Sequence, residues 1–152
     1  MRTLLFIFAA FLLSSCDNEA AQASLELDDG NVLKAQSWQG KWVYINYWAQ
    51  WCKPCAEEIP ELNAFAQANN DVLLLGVNFD KVNSATLLKQ ISAMRIEFPV
   101  VTNDIQQAFK HPMPQGLPTT IVINPEGKIV HTLSGPQTAA SLTNAKSSPL
   151  HQ

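Results

Sequence analysis

The chain has 152 residues, of which 47% are hydrophobic and 15% charged, a composition that supports one domain with a sizeable buried core. Its 13 Asp and Glu residues exceed its 10 Lys and Arg residues, which gives a formal net charge of -3. Because the sequence has no basic run or stripe, we expect no binding to nucleic acid. It also has no internal repeat, which excludes a repeat architecture.

Residues 1–15 have the build of a targeting segment. Arg2 supplies a positive start, and the apolar stretch 4–13 is shorter than the ~20 residues that a transmembrane helix needs. The segment ends in Leu13-Ser14-Ser15-Cys16 and so resembles a bacterial lipoprotein signal peptide, which is cut before a cysteine that is then acylated. The alternative is an ordinary secretory signal that happens to precede a cysteine.

The lipoprotein resemblance predicts how the rest of the chain is organised. Lipidated Cys16 would anchor the protein to a membrane without a transmembrane helix. We expect a small and polar tether at 16–24, a folded domain at 25–146 and a flexible tail at 147–152. The resemblance implies a place in the bacterial cell envelope, facing the periplasm, and Asp17 resembles a signal that keeps lipoproteins in the inner membrane.

The remainder of the chain alternates predicted strands and helices. Residues 25–35 predict a hairpin with its turn at 28–31. Apolar and β-branched runs predict strands at 41–48, 72–78, 98–102, 119–123 and 128–133. Helical spacing predicts helices at 52–68 and 84–94. We also expect a short helix at 105–109 and a last helix at 138–145, although the last segment has few apolar residues. This order indicates an α/β fold in which helices flank a mixed central β-sheet.

Two residues predict local detail within these elements. Ser84 is a candidate N-cap for the second helix, since its hydroxyl can accept a hydrogen bond from a free backbone N–H. Pro99 lies inside a short strand and lacks an N–H, which predicts that this strand forms an edge of the sheet.

The most informative motif is the pair Cys52 and Cys55, which lies where a predicted strand gives way to a predicted helix. Unpaired backbone N–H groups and the macrodipole at a helix N-terminus favour a thiolate, and Lys53 adds a positive charge. Two thiols at this spacing are suited to disulfide exchange. The alternatives are half of a zinc site, which lacks two further ligands, and a structural disulfide, which would close too small a loop to stabilise much.

The same region and a later segment together resemble a known family. The segment Gly116-Leu117-Pro118-Thr119-Thr120 and the turn that follows it, 123–128, are similar to the TlpA/ResA-like branch of the thioredoxin superfamily. The N-terminal hairpin and an additional helix and strand between about residues 81 and 102 fit the same branch. The resemblance covers residues 25–135 and implies a thioredoxin-like fold.

The resemblance also implies roles for individual residues. Cys52 would be the nucleophile and Cys55 the resolving thiol of a redox-active disulfide. Asn46 stands where thioredoxin has an aspartate, and Glu58 occupies the place of the glutamate that the branch carries after its second cysteine. Glu58 would then accept the proton of Cys55, whereas the alternative for Glu57 and Glu58 is a simple interaction with the helix dipole.

Three further residues are candidates for contact with a protein substrate. The resemblance implies a cis bond before Pro118, which faces the cysteines and exposes the backbone of Leu117 for pairing with an extended partner segment. Trp51 lies next to Cys52 and is a candidate surface aromatic for partner contact, although plain packing is an alternative.

The loop 110–115 departs from the family pattern because it is a few residues longer. His111 and Met113 are soft enough to join the two thiolates around Cu(I), and we expect this loop to lie near the cysteines. A copper carrier that uses Cys52, Cys55 and His111 or Met113 is therefore the alternative function, although such residues also occur in ordinary loops.

The sequence as a whole indicates a membrane-anchored thiol–disulfide oxidoreductase of the protein-disulfide reductase type. We expect protein dithiols or disulfides as substrates, an upstream membrane thiol reductant as partner, a monomeric protein, and neither cofactor nor metal. Reduction of apocytochrome c is a role that the resemblance implies, and a broad-range disulfide oxidase or isomerase is the alternative within the same class.

Overall fold

The computed structural model describes residues 23–147, which form two sheets and four α-helices. The strands are β1 (Ser24–Glu26), β2 (Val32–Lys34), β3 (Trp42–Trp48), β4 (Val72–Asn78), β5 (Val100–Val101), β6 (Thr119–Ile123) and β7 (Ile129–Ser134). The helices are α1 (Lys53–Ala68), α2 (Ser84–Met94), α3 (Ile105–Phe109) and α4 (Ala139–Ser147), and a short 3₁₀ helix spans Ala35–Ser37.

The main sheet has five strands in the order β5-β4-β3-β6-β7. The pairs β3–β4 and β4–β5 are parallel, whereas β3–β6 and β6–β7 are antiparallel. This mixed sheet confirms the predicted fold class. The edge position of β5 confirms what Pro99 predicted, and β1 and β2 form the predicted hairpin as a separate antiparallel pair.

β3 lies at the centre of the sheet because both of its faces are apolar. Tyr44 and Trp48 point to one layer of the core, whereas Val43, Ile45 and Tyr47 point to the other. A strand that is covered on both sides in this way needs nearly continuous hydrophobic residues, and 42–48 supplies them.

Each face of the sheet is covered by different elements. Buried residues of α1, α2 and α4 form the first core layer, which we call the α1 layer. Buried residues of β1, the segment after it and α3 form the second layer, which we call the hairpin layer. The two cysteines of the sequence motif belong to the α1 layer.

The element bounds agree with the predictions except at a few ends. β5 is shorter than predicted, β1 begins at Ser24 and α4 extends to Ser147. The prediction that Ser84 caps α2 is wrong, because the cap is Asn83, whose Oδ1 accepts the backbone N–H of Thr86 at 3.0 Å. Among residues 23–147, no helix combines the length and hydropathy that crossing a membrane requires.

Candidate active site

The two cysteines lie at the junction of β3 and α1, and they are joined by a disulfide with a Cα–Cα distance of 5.3 Å. Cys52 is the N-cap of α1, and its sulfur accepts the backbone N–H of Cys55 at 3.3 Å. Pro54 falls in the first turn of the helix, where no N–H is needed. A thiolate on Cys52 would therefore be stabilised by both a hydrogen bond and the helix N-terminus.

The two sulfur-bearing residues differ in their access to solvent. Cys52 is 4% exposed, whereas Cys55 is 0% exposed. Both residues are buried, and of the two only Cys52 keeps a small surface that is open to an approaching disulfide. This geometry fits the order of attack that the family resemblance implied.

Glu58 lies one helical turn beyond Cys55 and is buried, with 1% of its surface exposed. Its Oε1 accepts a hydrogen bond from Asn46 Nδ2 in β3 at 2.7 Å, and its Oε2 accepts the backbone N–H of Gln137 at 2.9 Å. No salt bridge among the described residues involves Glu58. The carboxylate is thus held by neutral donors instead of a cation.

Burial raises the pKa of Glu58 above its ordinary value, because removal from water disfavours the charged form. The hydrogen bonds from the Gln137 backbone and the Asn46 side chain oppose this effect and lower the pKa in part. A carboxyl with a raised pKa one helical turn from a buried thiol is suited to taking up and releasing a proton.

The sequence identified Glu58 and Asn46 separately but not the contact between them. Asn46 Nδ2 also donates to Thr120 Oγ1 at 3.0 Å, so that β3, β6 and α1 meet at this amide. Thr120 and Gln137 were not predicted as site residues. The only sequence signal for Thr120 is its place two residues after Pro118, and nothing in the pattern marks Gln137.

Trp51 lies beside the cysteines on the surface, where 67% of it is exposed. Its indole Nε1 donates a hydrogen bond to Asp80 Oδ2 at 2.9 Å, in the loop between β4 and α2. Plain packing does not account for a side chain this exposed. The contact with Asp80, which the sequence did not predict, holds the ring at the rim of the site.

Pro118 immediately precedes β6 and is buried, and the Leu117–Pro118 peptide bond is cis, as the resemblance implied. The carbonyl oxygen of Pro118 accepts the backbone N–H of Gly135 at 2.9 Å. Leu117 is half-buried and packs against both core layers, including the one that contains the cysteines.

The expectation that His111 and Met113 approach the cysteines is wrong. His111 is buried against Tyr47, with ring centroids 5.8 Å apart, and Met113 packs in the hairpin layer. Tyr47 points to the face of the sheet opposite the α1 layer, so the sheet separates these side chains from the sulfurs. Within residues 23–147, no group of three or more His, Cys, Asp or Glu side chains could hold a metal ion. The geometry gives the copper-carrier alternative no support.

The remaining predicted site residue, Cys16, lies outside the described residues, as do the predicted signal peptide, most of the tether and residues 148–152 of the tail.

Comparison with known proteins places this chain among thiol–disulfide oxidoreductases. The model of the AhpC/TSA family matches residues 16–132. Thiol-disulfide oxidoreductase ResA of Bacillus subtilis (strain 168) is 29% identical over 140 residues, which cover 90% of this chain and 76% of the relative. Sporulation thiol-disulfide oxidoreductase A of the same organism is 30% identical over 108 residues, which cover 68% of this chain and 66% of the relative.

Solved structures show the same fold. The crystal structure of StoA from Bacillus subtilis superposes with a TM-score of 0.67 at 26% identity, covering 83% of this chain and 98% of that one. A thiol:disulfide interchange protein of the thioredoxin family from Chlorobium tepidum TLS gives a TM-score of 0.68 at 24% identity, covering 81% and 89%. The predicted thioredoxin-like fold is therefore confirmed.

The raised pKa of Glu58 predicts a pH-dependent stability difference between the wild type and Glu58→Gln. Between the ordinary glutamate pKa of about 4.3 and the higher pKa in the fold, the folded protein binds more protons than the unfolded chain. The free energy of unfolding of the wild type should therefore fall as pH rises through this window, whereas the glutamine of the variant has no proton to lose. Urea unfolding from pH 3.5 to pH 8 should show Glu58→Gln gaining stability relative to the wild type.

The matched control for this measurement is Glu57→Gln, because the Glu57 side chain is 61% exposed. The stability of Glu57→Gln at each pH serves as the baseline for an exposed glutamate of the same helix. A constant difference between Glu58→Gln and the wild type would contradict the raised pKa.

Proposed function

The chain belongs to the AhpC/TSA family and is a redox enzyme of the thiol–disulfide oxidoreductase type, and on this premise we propose that it reduces or exchanges disulfides in selected extracytoplasmic proteins. The observation that carries the proposal is the pair Cys52 and Cys55 at the N-terminus of α1, where Cys52 keeps 4% of its surface exposed and Cys55 is fully enclosed. We include apocytochrome c among the substrates.

The proposed reaction begins with the dithiol form of the protein. The Cys52 thiolate attacks one sulfur of the partner disulfide, forms a mixed disulfide and releases the first partner thiolate. Cys55 then passes its proton to Glu58, attacks Cys52 and releases the second partner thiolate. Two electrons have moved to the partner, and the protein is left with the Cys52–Cys55 disulfide, which is the state of the structure.

Two further parts of the proposal concern partner contact and regeneration. Exposed Trp51 and the Leu117–Pro118 segment form the surface that receives an extended partner chain. A membrane thiol reductant returns the disulfide to the dithiol form. We further propose that acylated Cys16 anchors a monomeric protein at the inner membrane, with the tether 16–24 placing the domain on the periplasmic side.

The order of attack predicts different outcomes for two cysteine variants. Cys52→Ser should lose exchange activity, because the remaining thiol is enclosed. Cys55→Ser should accumulate mixed disulfides, because nothing resolves the first intermediate. Incubation of each variant with a protein disulfide and non-reducing electrophoresis would measure this. Trapping by Cys52→Ser but not by Cys55→Ser would reverse the two roles.

The proposed proton transfer predicts that Glu58→Gln slows resolution of the mixed disulfide. A general base typically contributes about 10²- to 10⁴-fold to the rate, so we expect a decrease of about 10²-fold near neutral pH and a changed pH profile. Stopped-flow measurement of resolution across the pH range would test this, with Glu57→Gln as a control of small effect. Identical profiles for the wild type and Glu58→Gln would remove the proton-transfer role.

The proposed anchor predicts that the mature chain partitions into membranes and carries lipid on Cys16. Cys16→Ser should block acylation and shift the protein to the aqueous phase, since the anchor would be lost. Detergent phase separation with mass spectrometry of the N-terminal peptide would measure both effects. Equal membrane association of the variant and the wild type would argue against a lipid anchor.

A further inference from the structure

The side-chain amide of Asn46 is completely buried, and only one of its two polar atoms makes hydrogen bonds. Nδ2 donates to Glu58 Oε1 at 2.7 Å and to Thr120 Oγ1 at 3.0 Å. Oδ1 is buried as well, yet it has no hydrogen-bond partner among the described residues. An unpaired buried acceptor is unfavourable, so the two bonds made by Nδ2 must hold the amide in this orientation.

This orientation favours the ionised form of Glu58. An ionised carboxylate accepts hydrogen bonds but donates none, and both of its oxygens face donors, Asn46 Nδ2 and the backbone N–H of Gln137. While the amide keeps this orientation, neither of these two groups offers an acceptor to a proton on Glu58. The backbone N–H of Gln137 cannot change into an acceptor, but a rotation of the Asn46 amide by half a turn would present Oδ1 to Glu58.

Thr120 is compatible with both orientations of the amide. Its hydroxyl now accepts from Nδ2, and no hydrogen bond donated by this hydroxyl is found within residues 23–147. Because a hydroxyl is both donor and acceptor, it could donate to Oδ1 after the rotation. The rotated amide would then accept from Glu58 and Thr120 together, and Nδ2 would become the unpaired atom.

We propose that Asn46 is a positioning residue whose amide reverses its orientation when Glu58 takes up a proton, with the Thr120 hydroxyl as the pivot that serves both states. The inference rests on the proposed function of Glu58 as proton acceptor for Cys55. In that step the S–H bond of Cys55 breaks, its electron pair stays on sulfur, and an O–H bond forms on Glu58. Rotation of the amide gives this new hydroxyl an acceptor, and the reverse rotation favours release of the proton.

The elements packed around Glu58 contribute few charges that could control its proton instead. α1 carries Lys53, Cys55, Glu57 and Glu61, of which Lys53 and Glu57 have mostly exposed side chains. β3 carries Tyr44 on the α1 side of the sheet, β7 carries His131 and α4 carries Lys146. β6 carries none. The described salt bridges join Lys53 to Glu57 and Lys146 to Asp71, so both lysines are engaged elsewhere. The groups in direct contact with the carboxylate are the neutral donors of Asn46 and Gln137.

The test follows the amide and the carboxyl together by NMR in the full chain. The disulfide-bonded form is used, because neither cysteine titrates in it. We expect nuclear Overhauser contacts from the Asn46 amide protons to Glu58 and to Thr120 at high pH. These contacts should fade with the same midpoint as the carboxyl ¹³C signal of Glu58. Contacts that persist unchanged through the Glu58 titration would overturn the inference.

Substitution of Asn46 shows whether its amide acts on Glu58 or only fills space in the core. Asn46→Leu keeps a side chain of similar size but removes both ends of the amide, and it should raise the pKa of Glu58 by about one unit or more, since hydrogen bonds to charged groups are strong. The pH profile of mixed-disulfide resolution should move upward by the same amount. An unchanged Glu58 titration in a folded Asn46→Leu protein would overturn the inference.

Thr120 offers a matched series that preserves its volume or its hydroxyl. Thr120→Ser should retain the coupled titration of amide and carboxyl, whereas Thr120→Val should lose it. Thr119→Val is the control, because the buried Thr119 hydroxyl donates to the Gly116 carbonyl at 2.8 Å and does not contact the amide. Equal coupling in Thr120→Val and the wild type would remove Thr120 as the pivot.

The outcomes for this inference and for the proposed function are distinguishable. Suppose that Glu58→Gln leaves resolution unchanged while the Asn46 amide of the wild type still follows the Glu58 titration. The proton-transfer function then fails, and the reversal of the amide remains. If Glu58→Gln slows resolution but the wild-type Asn46 amide keeps one orientation, the proton-transfer function stands and the proposed reversal of the amide fails.

Discussion

A carboxylate buried without a countercharge constrains how α1 rests on the sheet. Removing an ion from water is costly unless hydrogen bonds replace the lost solvent, so Glu58 must find donors inside the protein. It finds one in β3, from Asn46, and one in the segment before α4, from Gln137. These bonds join three distant parts of the chain one helical turn from Cys55, and a shift of α1 along the sheet would break them.

The two cysteines therefore experience opposite electrostatic conditions although they are only three residues apart. Cys52 lies at the helix N-terminus, where the dipole and the N–H of Cys55 favour negative charge. Cys55 lies one turn from an acidic group, where a second negative charge would be disfavoured by repulsion. An attacking thiolate and a resolving thiol need this asymmetry, since the first must be ionised before contact and the second only after it.

The elements of the fold could be predicted because their signals are local. The apolar run of β4, the helical spacing of α2 and the proline at the edge strand β5 each report on a few adjacent residues. The contacts of the site depend on how those elements are placed against each other. Trp51 and Asp80 are 29 positions apart in sequence, and no pattern within either segment indicates that they meet.

The wrong expectation for His111 has the same origin. Ligand chemistry can be recognised in a sequence, but the face of the sheet on which a loop lies depends on how the chain leaves the preceding helix. Lys110 adopts a left-handed backbone conformation with φ 49°, and the chain then places His111 against Tyr47. The cap of α2 is a smaller case. The cap is Asn83, so the helix begins one residue earlier than a cap at the Ser84 hydroxyl would place it.

The sulfur of Cys52 is at once a reactive atom and the cap of α1. A thiolate accepts the Cys55 N–H more strongly than a disulfide sulfur does, so the first turn of the helix is held with different strength in the two redox states. Folding and reduction form a thermodynamic cycle, so the stability difference between the two redox forms and the reduction potential of the pair are linked. Whatever the cap adds to the conformational stability of one redox form beyond what it adds to the other must appear, as the same free energy, in the shift of the reduction potential that folding causes.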